Sequence, residues 1–108
     1  MITGVSSVLE WHGPDALEKT LWIVDDGVSG TVTVTGRRLD GDGVTLFQRY
    51  DGTRQNRDTL VLEGPHARRT DHIGYVVYSS PGCWQLTTRA SDQTLEVTVY
   101  LFAPESDR

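Results

Sequence analysis

The chain has 108 residues, 37% hydrophobic and 23% charged, which fits one globular domain and is too apolar for a disordered chain. Its net charge of −5 disfavours nucleic acid and anionic membranes as partners, because both require a cationic surface. One cysteine, Cys83, excludes an internal disulfide, and no apolar run approaches the roughly 20 residues of a transmembrane segment. No leader pattern is present, but a mature secreted domain would look the same.

The N-terminal third predicts two short strands separated by a single helical turn. Residues 8–11 and 21–24 have the apolar, aromatic and β-branched composition of strands. Between them, residues 14–19 fit one helical turn, because proline suits the first helical position and acidic residues suit the first turn. Such a short amphipathic segment cannot form an independent helix.

In the middle of the chain, alternation with a period of two predicts half-buried strands. Val32 and Val34 share one face of the clearest example, with threonines on the other face. Glycine-containing turn signals and polar stretches separate the runs. The predicted elements are strands at 31–35, 44–50, 59–63 and 73–78, a turn at 40–43, and polar loops at 53–58 and 66–71.

The last two strands have the strongest pattern. Residues 83–90 place Trp84, Leu86, Thr88 and Ala90 on one face, and residues 94–102 place Leu95, Val97, Val99 and Leu101 on one face. The short connection at 91–93 predicts an antiparallel hairpin.

Seven or eight short strands with regular turn signals predict an all-β fold, an immunoglobulin-like antiparallel β-sandwich. We predict one domain over residues 1–103 and a frayed C-terminal tail at 104–108. Three tryptophans and no disulfide indicate an aromatic-rich core between the two sheets.

The stretch 80–90, with Pro81, Gly82, Cys83 and Trp84 in a row, continues into 95–100 and resembles the final hairpin of a family of small bacterial domains. These domains are common as uncharacterised secreted proteins or lipoproteins of actinobacteria and their relatives. Residues 11–23 and 30–40 resemble the family in the same order. The resemblance implies an immunoglobulin-like sandwich in an extracellular or cell-envelope setting, and it implies no activity. The chain lacks the family's leader and lipid-attachment cysteine, so a cytoplasmic location is the alternative.

The sequence motifs for metal binding and catalysis are incomplete. Cys83 has no histidine downstream for a copper site and begins a strand beside Trp84, which favours a packing role. His66 and His72 could converge with Asp71, but their spacing has no zinc-ligand register. Residues 40–43 are followed by Val44, where a calcium loop needs an acid or amide. We interpret His12 as a local hydrogen-bonding residue at a strand end. We predict no enzymatic activity, no metal and no cofactor.

Basic side chains in the middle loops are the most distinctive polar group. Arginine suits carboxylates and phosphates, so we predict a site for an unknown protein or anionic ligand. Its residues are Arg54, Arg57, His66, Arg68, Arg69 and His72. The alternative is a solvated surface in which neighbouring aspartates balance the arginines.

The predicted function is a non-enzymatic binding or accessory module of the bacterial cell envelope, with loops 51–58 and 64–72 making the contact. The alternative is a purely structural sandwich without its own ligand. The sequence sets neither the ligand nor the oligomeric state.

Overall fold

The computed structural model describes residues 5–24, 30–49, 56–63, 70–90 and 93–103. These residues form eight strands and no helix. The strands are β1 Val5–Glu10, β2 Glu18–Val24, β3 Val32–Arg38, β4 Leu46–Arg49, β5 Leu60–Leu62, β6 Thr70–Val77, β7 Gly82–Ala90 and β8 Gln93–Phe102.

The strands form two sheets of unequal width. One has five strands in the order β1-β8-β7-β3-β5, and the other has three in the order β2-β6-β4. This architecture confirms the predicted all-β, immunoglobulin-like sandwich. One pair departs from the antiparallel expectation, because β1 runs parallel to β8 with Val5 opposite Val97. The predicted terminal hairpin is confirmed, since β7 and β8 pair antiparallel from Gly82–Leu101 to Ala90–Gln93.

Inward-facing side chains of both sheets form one hydrophobic core. The alternation along the five-stranded sheet confirms the predicted faces, because Val32, Val34, Trp84 and Leu86 are all buried. Burying such side chains contributes roughly 1.5–3 kcal/mol each. The other sheet contributes buried side chains including Phe47, Val76 and Val24.

Tryptophan takes two positions relative to this core. The side chain of Trp84 is 0% exposed and meets the Tyr78 ring edge to face, with centroids 5.6 Å apart. Its Nε1 donates a hydrogen bond to the Ser80 carbonyl at 3.0 Å, which satisfies the one polar atom of the side chain. Trp11 and Trp22 are only partly buried and pack against the margin of the core.

The predicted helical turn at 14–19 is wrong, because Glu18 and Lys19 already belong to β2. Before that strand the chain makes one tight, non-helical turn, closed by the hydrogen bond from Ala16 N to Gly13 O at 3.3 Å. Glu18 and Lys19 pair with Val76 and Tyr75 of β6. Pairing with a neighbouring strand satisfies backbone groups that one isolated helical turn would leave unpaired.

Several strand boundaries also differ from the predictions, and the starts of β6 and β4 show the physical reason. Strand β6 begins at Thr70 rather than at 73, because 70–72 pair with the end of β2. Strand β4 begins at Leu46 rather than at 44, since Val44 makes only an isolated bridge to Arg37. The predicted tail at 104–108 lies outside the described residues.

Candidate binding cleft between the sheets

The structure places two of the six predicted site residues. Arg57 is exposed, and its backbone exchanges two hydrogen bonds with Phe47 of β4, at 2.6 and 3.0 Å. His72 is half-buried in β6, opposite Trp22, and therefore lies on a strand where a loop was predicted. Phe47 of β4 pairs on its other side with β6, so β4 separates the strand of His72 from Arg57. Arg54, His66, Arg68 and Arg69 lie outside the described residues, and the predicted arginine site stays a prediction.

A cavity of about 430 Å³ lies on the other side of the sandwich, where β2 faces β8 and β1. We call it the inter-sheet cleft. Neither Arg57 nor His72 lines it. Its lining residues are Ser7, Leu9, Lys19, Thr20, Leu21, Trp22, Val24, Val32, Tyr78, Leu86, Thr88, Leu95, Val97 and Val99.

The unequal width of the two sheets accounts for the cleft. The inward face of a five-stranded sheet is wider than a three-stranded sheet can cover, so among the described residues no strand lies opposite part of the β8–β1 surface. The exposure along β8 follows this geometry. Val99 and Leu101 are 4% and 1% exposed, whereas Leu95 and Val97, on the same face, stay half-buried.

The floor and the wall of the cleft are built differently. Strands β7, β8 and β1 contribute every second residue, which is the pattern of inward-facing side chains. Strand β2 contributes consecutive residues, and the ring of its Trp22 lies across Gly74, where an added Cβ would come within 3.3 Å of Cζ3. The floor residues are Leu86 and Thr88 of β7, Leu95, Val97 and Val99 of β8, and Ser7 and Leu9 of β1.

The cleft is mainly apolar and has few polar groups. Ser7, Thr20 and Thr88 contribute hydroxyl groups, and Lys19 contributes an ionisable amine. Burial raises the pKa of the Tyr78 phenol, and the charge of Glu18 raises it further, so this side chain stays neutral at physiological pH. The lining therefore suits an apolar ligand with a small number of hydrogen-bonding groups.

A histidine flanked by two carboxylates joins the strands at one end of the cleft. His12 Nδ1 lies 2.8 Å from Glu18 Oε1, and Nε2 lies 3.2 Å from Glu10 Oε2. Glu10 ends β1 and Glu18 begins β2. Only the protonated imidazole can donate from both nitrogens, and its hydrogen bond to Glu18, followed by the charges of Glu18 and Glu10, raises the pKa of His12. The predicted local hydrogen-bonding role of His12 is confirmed.

The turn after β3 is held by a second polar group. Arg38 Nε donates to Asp40 Oδ1 at 2.8 Å, and Arg38 Nη1 donates to Ser80 Oγ at 3.1 Å. The backbone N–H of Cys83 donates to Asp40 Oδ2 at 3.2 Å. The hydrogen bond from Arg38 is the largest cause of the lowered pKa of Asp40. These contacts tie the turn to the start of β7 and give Asp40 a structural role.

The described residues also bear on metal binding and membrane insertion. In the part of the chain that the structure covers, no group of three or more histidine, cysteine, aspartate or glutamate side chains could hold a metal ion. Within the same ranges, no helix has the length and apolar character needed to cross a membrane.

Comparison with known proteins assigns the chain to no family. No protein-family model matches the chain, and no curated protein is similar to it. Among solved structures, the chain is similar to the ASH / PapD-like domain of human CEP192 (PapD-like domain 7), with 8% identity and a TM-score of 0.35. The likeness covers 94% of this chain and 84% of that chain. A likeness of this degree says nothing about a ligand or an activity.

Sequence reasoning missed the inter-sheet cleft. The inward faces of β7 and β8 were predicted correctly, but Ser7, Lys19 and Thr20 lie outside the strands predicted for β1 and β2. The cleft exists because the two sheets have different numbers of strands. Hydrophobic alternation within one strand does not indicate which sheet that strand joins.

Proposed function

We propose that this chain is a non-enzymatic binding module of the bacterial cell envelope that holds an apolar ligand in the inter-sheet cleft. The single observation that supports the proposed ligand site is the cleft itself. Protein interiors are normally packed with few voids larger than a water molecule. A volume of about 430 Å³ falls within the range of roughly 300–1,000 Å³ that is typical of ligand sites.

The proposed setting is extracellular or in the cell envelope. It follows the expectation from the sequence that residues 81–84, at the start of β7, resemble the hairpin of small secreted bacterial domains, and no family model tests that expectation. Fractionation of the native host, with an antibody against this chain, tests it. Recovery in the cytosolic fraction alone would contradict the setting without affecting the proposed site.

Binding of the neutral dye Nile red, whose fluorescence rises in apolar surroundings, tests the proposed ligand site. Thr88 lines the cleft from β7, and its neighbour Thr87 belongs to the opposite face of the same strand. Both side chains are half-buried, so Thr88→Leu and Thr87→Leu make the same chemical change on the two faces. We expect Thr88→Leu to fill the cleft and weaken dye binding roughly tenfold, and Thr87→Leu to leave it unchanged.

Unfolding curves of both variants accompany the binding measurement, because loosely packed chains also bind apolar dyes. Equal binding by the folded wild type and both variants would place the dye elsewhere. No saturable binding to the folded wild type would leave a sandwich domain without a ligand of its own, and either result contradicts the proposal.

A further inference from the structure

Strand β2 offers a backbone edge to the inter-sheet cleft. It lies at the end of its sheet, next to β6 only, and no other strand pairs with it in the ranges 5–24, 30–49, 56–63, 70–90 and 93–103. The cleft contacts the consecutive residues Thr20, Leu21 and Trp22. Because successive side chains of a strand point to opposite faces, contact with consecutive residues means that the cleft borders the backbone of β2.

The floor of the cleft has a complementary pattern. Leu95, Val97 and Val99 point into it from β8 as every second residue of a single strand. A strand added beside β2 would extend the three-stranded sheet over this surface. Its alternate side chains would then face β8 and β1 in the way that Val76 of β6 and Phe47 of β4 face the rest of the core.

We propose that the cleft binds an extended peptide segment of a partner protein, which pairs with the outer edge of β2 and becomes a fourth strand of that sheet. This proposal rests on the proposed function and names the ligand class. An acyl chain could also fill an apolar space, but it would cover the N–H and C=O groups of the β2 edge without pairing them, which is unfavourable because buried polar groups need hydrogen-bond partners. A peptide strand satisfies the backbone edge and the apolar floor together, as in recognition by strand addition.

The dimensions and charges of the site define the partner segment. Strand β2 has seven residues, and at roughly 3.3 Å per residue it offers an edge of about 23 Å. A segment of that length presents three alternate side chains to the cleft, and valine suits the apolar floor. Glu10 and Glu18 lie at one end of the edge, with His12 between them, and the whole chain carries a net charge of −5. Lys19 also lines this end of the cleft and, with the protonated His12, offsets the two carboxylates, so a lysine or arginine at the end of the partner segment complements the net negative charge of the whole chain.

A synthetic peptide tests the proposal directly. The probe is acetyl-Lys-Val-Thr-Val-Thr-Val-Thr-Lys-amide, which alternates valine and threonine between basic ends. Titration calorimetry with the full chain is expected to give saturable binding at a ratio of one to one. Within Thr20, Leu21 and Trp22, amide hydrogen exchange is expected to slow on binding at alternate residues, because only every second N–H of β2 points away from β6 and can gain a new backbone hydrogen bond. A peptide of the same composition with its valines and threonines in two blocks serves as the control and is expected to bind at least tenfold more weakly.

Two N-methylated forms of the peptide separate strand pairing from simple burial. In an extended peptide, alternate N–H groups point to opposite sides. One form is methylated at two valines and the other at two threonines, so each removes donors from one side only. We expect one form to lose binding roughly tenfold or more and the other to bind like the parent. Thr88→Leu is expected to weaken parent binding, and Thr87→Leu is the matched control.

The outcomes separate this inference from the proposed function. If Nile red binds the cleft but the peptide neither binds nor displaces it, the cleft is a ligand site and strand addition is wrong. Equal binding of both methylated forms would also overturn strand addition. If the chain dimerises in sedimentation experiments and the peptide competes with dimerisation, the occupant is a second copy, which overturns the partner proposed. If neither the dye nor the peptide binds, both proposals fail.

Discussion

The side chain of Thr45 packs directly against the backbone of Gly36 in the middle of the core. A Cβ placed on Gly36 would lie 2.8 Å from both Thr45 Cγ2 and Leu86 Cδ2. Thr45 N also donates a hydrogen bond to Gly36 O at 3.1 Å. Glycine at position 36 therefore lets the chain leading into β4 approach β3 closely enough to bury Thr45.

Gly36→Ala is expected to destabilise the fold by about 1–3 kcal/mol, because the added methyl group overpacks a closely fitted core. Urea unfolding measures the change. Gly41→Ala is the control, since the three atoms nearest to a Cβ at Gly41 all belong to the flexible Arg38 side chain, at 3.2 Å or more, and a change within about 0.5 kcal/mol is expected. A loss at Gly36 no greater than the loss at Gly41 would show that the contact is not tight in solution.

Thr45→Val is expected to stabilise the fold by about 1 kcal/mol. The Thr45 side chain is 0% exposed, and its hydroxyl has no hydrogen-bond partner among the residues that the structure describes. Valine keeps the shape and removes the cost of burying an unpaired hydroxyl group.

The control is Thr45→Ser, which keeps the hydroxyl and deletes the methyl group, and it should destabilise the fold. The same urea experiment compares the two variants. A loss of more than about 1 kcal/mol in Thr45→Val would mean that the hydroxyl group is hydrogen-bonded after all.

The pKa of His12 is expected to lie above its ordinary value of about 6.5. The hydrogen bond that His12 donates to Glu18 is the largest cause, and Glu10 adds to it. Since the folded-state pKa is the higher one, the stabilisation is fully present below about pH 6.5 and is lost as the pH rises through the folded-state pKa. The effect on stability should be small, because the His12 side chain is 55% exposed and solvent screens exposed pairs.

Titration of the His12 ring protons by NMR checks the direction of the shift. Glu18→Gln should lower the pKa of His12 more than Glu10→Gln, because the hydrogen bond to Glu18 is the largest cause of the raised pKa. A His12 pKa at or below about 6.5 in the folded protein would contradict the bridge between β1 and β2.

Trp84→Ala is expected to cost roughly 3–5 kcal/mol, because it deletes the largest fully buried side chain and leaves a cavity. Trp22→Ala should cost less, since Trp22 only packs against the margin of the core. Thermal or urea unfolding compares the two variants. A loss under about 1 kcal/mol for Trp84→Ala would mean that its side chain does not fill the space between the sheets.

The predicted arginine site can be tested independently of the cleft. We expect the quadruple change of Arg54, Arg57, Arg68 and Arg69 to glutamine to weaken binding of inorganic phosphate, because guanidinium groups pair well with such anions. Phosphate titration followed by NMR shifts measures it. Arg89→Gln alters an exposed arginine of β7 and serves as the control. Unchanged shifts in the quadruple variant would favour a solvated surface.

Local patterns predicted the strands best where neighbouring residues alternate clearly. The inward face of Trp84 and Leu86 and the hairpin from β7 to β8 follow from alternation and a short connection, which are properties of adjacent residues. The prediction failed at 14–19, where propensity favoured a helical turn. Pairing of Glu18 and Lys19 with β6, more than 50 residues away, overrides so weak a local preference.

The inter-sheet cleft could not be predicted from the same patterns. Strand β1 pairs with β8 at the far end of the chain, while β2, next in sequence, joins the other sheet. His12 was recognised as a polar strand-end residue, but its two carboxylate partners come together only where the chain crosses between the sheets.

Side-chain alternation was enough to predict that the chain forms short strands and which faces of the most regular strands are buried, because alternation depends only on neighbouring residues. The division of the strands into sheets of five and three is visible only in the three-dimensional structure. That division is set by contacts between residues far apart in the chain, and it leaves the apolar floor of the cleft beside the outer edge of β2.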